Sequence, residues 1–281
     1  MLDLPDNSFD LAIADPPYGA STNATWKLDS GHTLDGFGGA WKLASHNWDM
    51  FNGLDGFEFT LTWLNELKRL VKPTGSIWIH STYHNSGIVN VACQMLGIEI
   101  INEVVWYKRN AFPNLSGRRL TASHETILWI HTGENRRDYY FNYENVKAAH
   151  FKEDGLKEPG KQLRTVWDIP NNKKRSELEF GKHPTQKPLR LIERMLLISA
   201  EQEGRLLIPF LGSGTDVIAG LKHDMDCVGF EVEQEYFDLA CRRISAYFEE
   251  KETDLQMELP GCNDQPKASN LSLNGLAVNV K

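Results

Sequence analysis

A glycine loop between a short strand and a helix most restricts what this chain can fold into. Arg205–Ile208 is an apolar run typical of a buried strand, Pro209–Gly214 is the loop, and a helical pattern follows. The next apolar run, Cys227–Phe230, ends in an acidic residue, Glu231. This order predicts an α/β fold in which the glycines admit a ligand close to the backbone and Glu231 accepts hydrogen bonds from ribose hydroxyls. The loop also suits a plain turn, and it lacks the Lys of a phosphate-binding loop.

The tetrapeptide Asp15-Pro16-Pro17-Tyr18 directly follows another predicted strand, Leu11–Ala14. Open parallel sheets present functional residues at this end of a strand. The prolines remove two N–H donors, so free carbonyl oxygens and the Asp15 carboxylate form an acceptor site beside the Tyr18 ring. Such a site suits the exocyclic amine of a nucleobase, with Tyr18 stacked on the base. A plain turn is again the alternative.

Strand and helix patterns alternate over the first half of the chain and return at Lys187, which predicts helices joining the strands of a parallel sheet. From about residue 132 to 180 the pattern fades into charged, aromatic, Gly and Pro residues. We therefore divide the chain into a first half (1–131), an insertion (132–181), a second half (182–250) and a tail (251–281). The tail lacks periodicity and is predicted to be disordered.

Composition indicates a folded, soluble and intracellular protein. The 281 residues are 41% hydrophobic, and neither a bilayer-length apolar run nor a signal peptide is present. The four cysteines are far apart, which argues against a disulfide framework or a zinc site. The formal net charge of −8 is uneven, because residues 105–190 carry +7 and the remainder carries −15. A basic middle segment suits a nucleic-acid partner, although an ordinary solvated surface can show the same imbalance.

Three motifs in a fixed order give the chain a family resemblance. Asp15–Tyr18, the segment His183–Pro188 and the loop Pro209–Thr215 resemble the catalytic, helix-leading and cofactor motifs of bacterial DNA amino-methyltransferases. With the catalytic motif first and the cofactor loop near the C-terminus, the order resembles the β class of this restriction–modification family. The stretch Asn110–Trp129 is similar to members that methylate adenine at N6, and Asp at position 15 points the same way by resemblance.

The resemblance implies a Rossmann-like methyltransferase sheet with a circularly permuted motif order and an inserted target-recognition region. It implies site-specific transfer of a methyl group from S-adenosylmethionine to adenine N6 in double-stranded DNA, with the target base flipped out of the helix. The catalytic residues would be Asp15, Pro16, Pro17 and Tyr18. The cofactor residues would be Phe210, Gly212, Ser213, Gly214, Thr215, Glu231 and Lys187. No metal site is expected, because no second His or Cys stands at ligand spacing from His183.

The basic middle segment then acquires a role in binding DNA. Contacts are expected from the insertion and from residues 108–125, through phosphate neutralisation and guanine edges. The candidates are Lys108, Arg109, Asn114, Arg118, Arg119, Lys173, Lys174 and Arg175. For any one of them, a solvated surface charge is an equal alternative. The resemblance also allows a homodimer and a cognate restriction endonuclease as partners in the bacterial cytoplasm, and it implies no membrane association.

Two features depart from the family pattern. Ile208 stands where the family commonly has Asp, which removes a carboxylate expected near the methionine end of the cofactor. Only ten residues precede Leu11, where the family usually has another strand and an acidic turn. The cofactor pocket is therefore expected to be incomplete unless other groups replace them. Methylation of cytosine N4, or DNA binding without catalysis, are the alternative functions.

Overall fold

The computed structural model describes residues 1–18, 53–114, 118–135, 137–156, 158–171, 173–258 and 277–280. The strands found there are β1 (Phe9–Ala14), β2 (Val71–Ser81), β3 (Glu99–Tyr107), β4 (His124–His131), β5 (Val166–Asp168), β6 (Arg205–Ile208), β7 (Asp226–Glu231) and β8 (Ala277–Val280). The helices are α1 (Gly53–Leu70), α2 (Ser86–Met95), α3 (Tyr143–Ala149), α4 (Leu189–Ser199), α5 (Thr215–Lys222) and α6 (Gln234–Glu258). The strands form one sheet in the order β5-β3-β4-β2-β1-β6-β7-β8.

All strands of this sheet run parallel except β4, which pairs antiparallel with both β2 and β3. The parallel sheet predicted from the sequence is therefore mixed. Antiparallel neighbours need no crossover helix, and residues 108–123 join β3 to β4 without one among the residues described there. As a result, β4 begins at the edge of the sheet where the parallel strands end.

Both faces of the sheet are covered by helices, so its central strands are apolar on both sides. On one face α1 and α2 bury residues such as Leu64, Leu67 and Val89. On the other face α4, α5 and α6 pack over a tryptophan cluster in which Trp78 and Trp129 stack with ring centroids 5.0 Å apart. The core thus holds the first and second halves of the chain together around β1 and β6, which pair directly.

Several element boundaries differ from the sequence-based expectations. The insertion, which shows no regular pattern in the sequence, contributes β5 to the sheet edge. Helix α6 continues to Glu258, past the predicted start of the tail at 251, because Glu and Lys are good helix formers. Residues 277–280 form β8, in keeping with the β-propensity of their valines. The rest of the predicted tail lies outside the described residues.

None of the helices described is both long and apolar enough to cross a bilayer. Among the described residues, Cys93 and Cys227 are buried free thiols and Cys241 is a partly buried free thiol. Burial raises the pKa of both Cys93 and Cys227 to about 12, so neither thiol is a thiolate nucleophile at neutral pH.

Candidate active site

The three sequence motifs meet at one cavity above the centre of the sheet. β1 leads through α1 to β2 on one side, and β6 leads through α5 to β7 on the other, so the chain diverges between β1 and β6. Ligands of open α/β sheets bind at such a divergence, beyond the carboxyl ends of the strands. The cavity has a volume of about 260 Å³. Of the predicted site residues, it is lined by Asp15, Pro16, Pro17, Tyr18, Lys187, Phe210, Gly212, Ser213, Thr215 and Glu231.

The Asp15 carboxylate lines the cavity and is held by two donors. Lys187 Nζ lies 2.7 Å from Asp15 Oδ2, and the Tyr18 hydroxyl donates to Oδ1. Lys187 Nζ also lies 2.6 Å from the Tyr18 oxygen. Burial by itself would raise the pKa of Asp15, but the Lys187 ammonium and these hydrogen bonds hold the pKa below its usual range. Asp15 is therefore an ionised acceptor at neutral pH.

A chain of alternating charges runs from Asp15 toward the loop between β3 and β4. Lys187 Nζ lies 3.8 Å from Glu125 Oε2, and Glu125 Oε1 accepts a hydrogen bond from Lys108 at 2.8 Å. Burial opposes the charge on Lys187, yet Asp15 and Glu125 raise its pKa overall. The two carboxylates thus keep Lys187 protonated, and Lys187 in turn keeps Asp15 ionised.

His80 lies beside this charged chain without bonding to it. It is fully buried near the end of β2, and neither ring nitrogen has a hydrogen-bond partner among the described residues. Burial, reinforced by the Lys187 charge, lowers the pKa of His80 to about 4. The ring is therefore neutral, which avoids a second buried cation beside Lys187.

The glycine loop is shaped by positive φ angles and by a buried arginine. Gly214 has φ +74° at the N-cap of α5, and a Cβ there would lie 3.0 Å from that of Ala240 on α6. From α6, Arg243 donates to the Ser213 carbonyl and, at 3.1 Å, to the Thr215 hydroxyl. Gly214 thus lets the loop pack closely against α6, while its neighbours in the loop line the cavity.

Glu231, at the end of β7, is tied to the loop by backbone donors. The N–H of Gly212 donates to Oε2 at 2.7 Å, and those of Val232 and Glu233 donate to Oε1 at 2.9 and 3.0 Å. Burial raises the pKa of Glu231 in spite of these bonds. A carboxylate offers about four acceptor positions, so one position on Oε2 is left for a ligand.

Aromatic rings form the walls of the cavity. Phe210 packs edge-on against Trp63 of α1, with ring centroids 5.7 Å apart. His183 packs edge-on against Tyr236 at 4.2 Å and lies beside Gly212. Apolar walls with a few fixed polar groups are typical of small-molecule sites.

The predicted DNA-contact residues lie around the same edge of the sheet, outside the cavity. Lys108 is largely buried against Glu125, and Arg109 pairs with Asp168 at 2.9 Å while half exposed. Burial, followed by the charge of Lys187, lowers the pKa of Lys173 to about 8. The remaining candidates, Asn114, Arg118, Arg119, Lys174 and Arg175, are exposed.

Two groups, one beside the cavity and one lining it, were not predicted from the sequence. In the sequence, His80 only continues the pattern of an apolar strand. The register of β2 beside β1 brings it near Asp15. Asp216 is a buried residue of the first turn of α5 and lines the cavity; the Asp that directly follows Thr215 was the available signal. Ile208, by contrast, is fully buried in the core and offers the cavity no polar atom.

Comparisons with known proteins agree with this geometry. A family model described as DNA methylase (N6_N4_Mtase) matches residues 9–242. The chain is 34% identical over 240 residues to the Type II methyltransferase M2.DpnII of Streptococcus pneumoniae, covering 85% of this chain and 83% of that protein. It is also 34% identical over 239 residues to the Type II methyltransferase M2.LlaDCHI of Lactococcus lactis subsp. cremoris, covering 85% and 82%.

Solved structures share the fold at lower identity. The crystal structure of the M1.HpyAVI–SAM complex matches with a TM-score of 0.55 and 24% identity, covering 84% of this chain and 89% of that one. The PvuII DNA methyltransferase (cytosine-N4-specific) matches with a TM-score of 0.62 and 16% identity, covering 99% and 90%. The predicted methyltransferase fold is confirmed.

Proposed function

The chain belongs to the DNA methylase family, and we propose that it transfers a methyl group from S-adenosylmethionine to N6 of adenine in double-stranded DNA. The observation that carries the proposal is the position of the ionised Asp15 carboxylate, which lines the same cavity as the glycine loop and Glu231. An acceptor for an amine and a site for a nucleoside are therefore adjacent.

The residues of the cavity suit the cofactor. The free acceptor position on Glu231 Oε2 suits a ribose hydroxyl, and the Phe210 and Tyr236 rings offer apolar surface to an adenine ring. Lys187 offers a cation for the methionine carboxylate. When bound, S-adenosylmethionine supplies an electrophilic methyl group on a sulfonium centre.

Asp15 would make the target amine nucleophilic. The lone pair of adenine N6 is delocalised into the ring, and hydrogen bonds from the amine to acceptors localise it on nitrogen. Tyr18 and Lys187 each occupy one position on a different Asp15 oxygen, so each oxygen keeps a position for the amine. A carbonyl oxygen of Pro16 or Pro17 would accept the second N–H. The N–C bond would form as the sulfonium S–C bond breaks and S-adenosylhomocysteine leaves, and the proton lost from nitrogen would pass to Asp15 or to water.

The target base must leave the DNA helix to reach this cavity. Lys187 is buried and the Asp15 side chain is only 19% exposed, so a base stacked within the duplex cannot reach them. We propose that the base is flipped out and that the Tyr18 ring, which lines the cavity, contacts it. The exposed residues of the loop joining β3 to β4, with Lys174 and Arg175, would bind the DNA backbone. A cognate endonuclease and a second copy of the chain are further proposed partners in the bacterial cytoplasm.

Methyl transfer to DNA tests the proposal directly. We expect the protein to incorporate labelled methyl groups from S-adenosylmethionine into unmethylated bacterial DNA. Asp15→Asn should lower the rate at least about 100-fold, because the anionic acceptor is lost where charge develops. Asp3→Asn, an exposed acid-to-amide change far from the cavity, should leave the rate unchanged. DNA binding without incorporation by the unaltered protein would instead indicate a relative that has lost catalysis.

A further inference from the structure

A carboxylate without a cation lies at the wall of the cavity. Asp216, on the first turn of α5, is 7% exposed and lines the cavity. No ion pair or side-chain hydrogen bond joins it to another residue of the described ranges, and the donor it does have is its own backbone N–H. A buried carboxylate in this state is costly unless a partner compensates it.

The charged groups around Asp216 do not provide that compensation. Lys187 donates to Asp15 at 2.7 Å and to Tyr18, and Arg243 donates to the loop carbonyl of Ser213, so neither cation contacts the Asp216 carboxylate directly. Asp15 itself repels a negative charge at Asp216. Burial and then Asp15 raise the pKa of Asp216 to about 7, while Lys187 and Arg243 act against the rise. The cavity therefore has a half-protonated carboxyl group that a cation would ionise.

We infer that Asp216 binds the α-ammonium group of the methionine moiety of S-adenosylmethionine. The inference rests on the proposed function. An amino-acid zwitterion needs both signs of charge from its site, and the cavity wall offers them as Lys187 for the carboxylate and Asp216 for the ammonium. Glu231, at the end of β7, would bind the ribose at the other end of the ligand.

Ionisation of Asp216 has a thermodynamic consequence for binding. An ammonium partner favours the charged form, so the bound complex has a lower pKa at Asp216 than the free protein. Binding at pH 7 should then release about half a proton, because a group with a pKa of about 7 is half protonated before binding. Affinity should weaken by up to about tenfold per unit as the pH falls below 7.

Calorimetric titration with three ligands tests the assignment. S-adenosylmethionine carries sulfonium and ammonium, S-adenosylhomocysteine keeps only the ammonium, and methylthioadenosine has neither. We expect Asp216→Asn to weaken the first two about 10- to 100-fold and to leave methylthioadenosine within about threefold. Asp226→Asn, an exposed acid-to-amide change at the other edge of the sheet, should alter none of them.

Each other outcome overturns the assignment. Weakening of S-adenosylmethionine alone would place the sulfonium at Asp216, and equal weakening of all three ligands would indicate a general collapse of the cavity. Unchanged affinities would show that Asp216 touches no charged part of the ligand. In the unaltered protein at pH 7, the observed binding enthalpies in phosphate and in Tris should differ by about half of the difference between the ionisation enthalpies of the two buffers. Equal observed enthalpies in the two buffers would also overturn the assignment. If the unaltered protein binds none of the three ligands, the proposed function itself fails.

Discussion

Asp15 and Asp216 are the same residue type in the same cavity, yet their pKa values move in opposite directions. The Lys187 ammonium lies 2.7 Å from Asp15 and favours its ionised form. Asp216 is buried and lies near the negative charge of Asp15, and both effects favour its protonated form. At Asp15, the Lys187 charge and the hydrogen bonds from Lys187 and Tyr18 together outweigh burial and lower the pKa. At Asp216, the charges of Lys187 and Arg243 do not outweigh burial and the charge of Asp15. The roles proposed for the two residues follow from this difference: a permanent acceptor for the target amine, and a carboxyl group that becomes charged when a cationic ligand arrives.

His80 makes the folding stability depend on pH. The unfolded chain takes up a proton at His80 near pH 6.5, whereas the folded chain does so only near pH 4, so the free energy of unfolding falls as the pH drops through this range. The shift corresponds to about 3 kcal/mol at most. Between pH 7 and pH 4, the free energy of unfolding should fall by about 3 kcal/mol less in His80→Leu than in the unaltered protein. Denaturant unfolding at the two pH values measures this difference.

An exposed histidine provides the control for this measurement. His124→Gln, at the start of β4, should reproduce the pH dependence of the unaltered protein. A His80→Leu variant whose stability falls as steeply as that of the unaltered protein would contradict the neutral, unbonded state of His80.

At the scale of single elements, the N-terminus of α5 depends on one backbone conformation. Gly214 combines φ +74° with a close approach to Ala240, so a side chain there meets both strain and overlap. We expect Gly214→Ala to lower the free energy of unfolding by about 1 to 3 kcal/mol. Gly87→Ala is the matched change, because this glycine of α2 has ordinary φ and open space around its Cβ position. It should cause no loss, and equal losses in both variants would contradict the requirement for glycine at position 214.

The loop between β3 and β4 is expected to carry part of the DNA contact. Its exposed Arg118 and Arg119 lie at the same edge of the sheet as Asp15, since β4 begins where β1 and β2 end. Each phosphate contact contributes about 0.9 to the slope of log affinity against log salt. The double change Arg118→Ala and Arg119→Ala should therefore reduce that slope by up to about 2, measured by fluorescence anisotropy with a duplex.

A basic residue at the other edge of the sheet provides the comparison. Lys222→Ala, at the C-terminal end of α5, should leave the salt dependence unchanged. If Lys222→Ala and the double arginine change reduced the slope equally, the DNA-binding surface would have to lie elsewhere.

Elements with a strong local pattern could be predicted from the sequence, and elements fixed by distant pairing could not. Arg205–Ile208 was predicted with its observed bounds, because four apolar residues between polar turns leave few choices. β5 is three residues long, too short to show a period, and its place beside β3 is set by packing of Trp167 in the core. The connection between β3 and β4 is long enough for either a parallel or an antiparallel pair. The direction of β4 could therefore not be predicted from the sequence.

At the scale of the whole molecule, one sheet joins two halves that are distant in sequence. β1 pairs with β6, so Asp15 and the glycine loop become neighbours although about 190 residues separate them. The rule that strand ends meet at one edge made this adjacency predictable from the motifs. The partners that tune the site were not predictable, because His80 and Asp216 acquire their character from burial, which depends on the complete packing.

The identity of the methylated base distinguishes adenine N6 from cytosine N4 as the target of the protein. Unmethylated bacterial DNA would be treated with the protein and S-adenosylmethionine, digested to nucleosides and analysed by mass spectrometry. We predict N6-methyladenine, present with the unaltered protein and absent with Asp15→Asn. N4-methylcytosine in its place would contradict the adenine assignment while keeping the chemistry of Asp15, and N6-methyladenine made equally well by Asp15→Asn would contradict the mechanism.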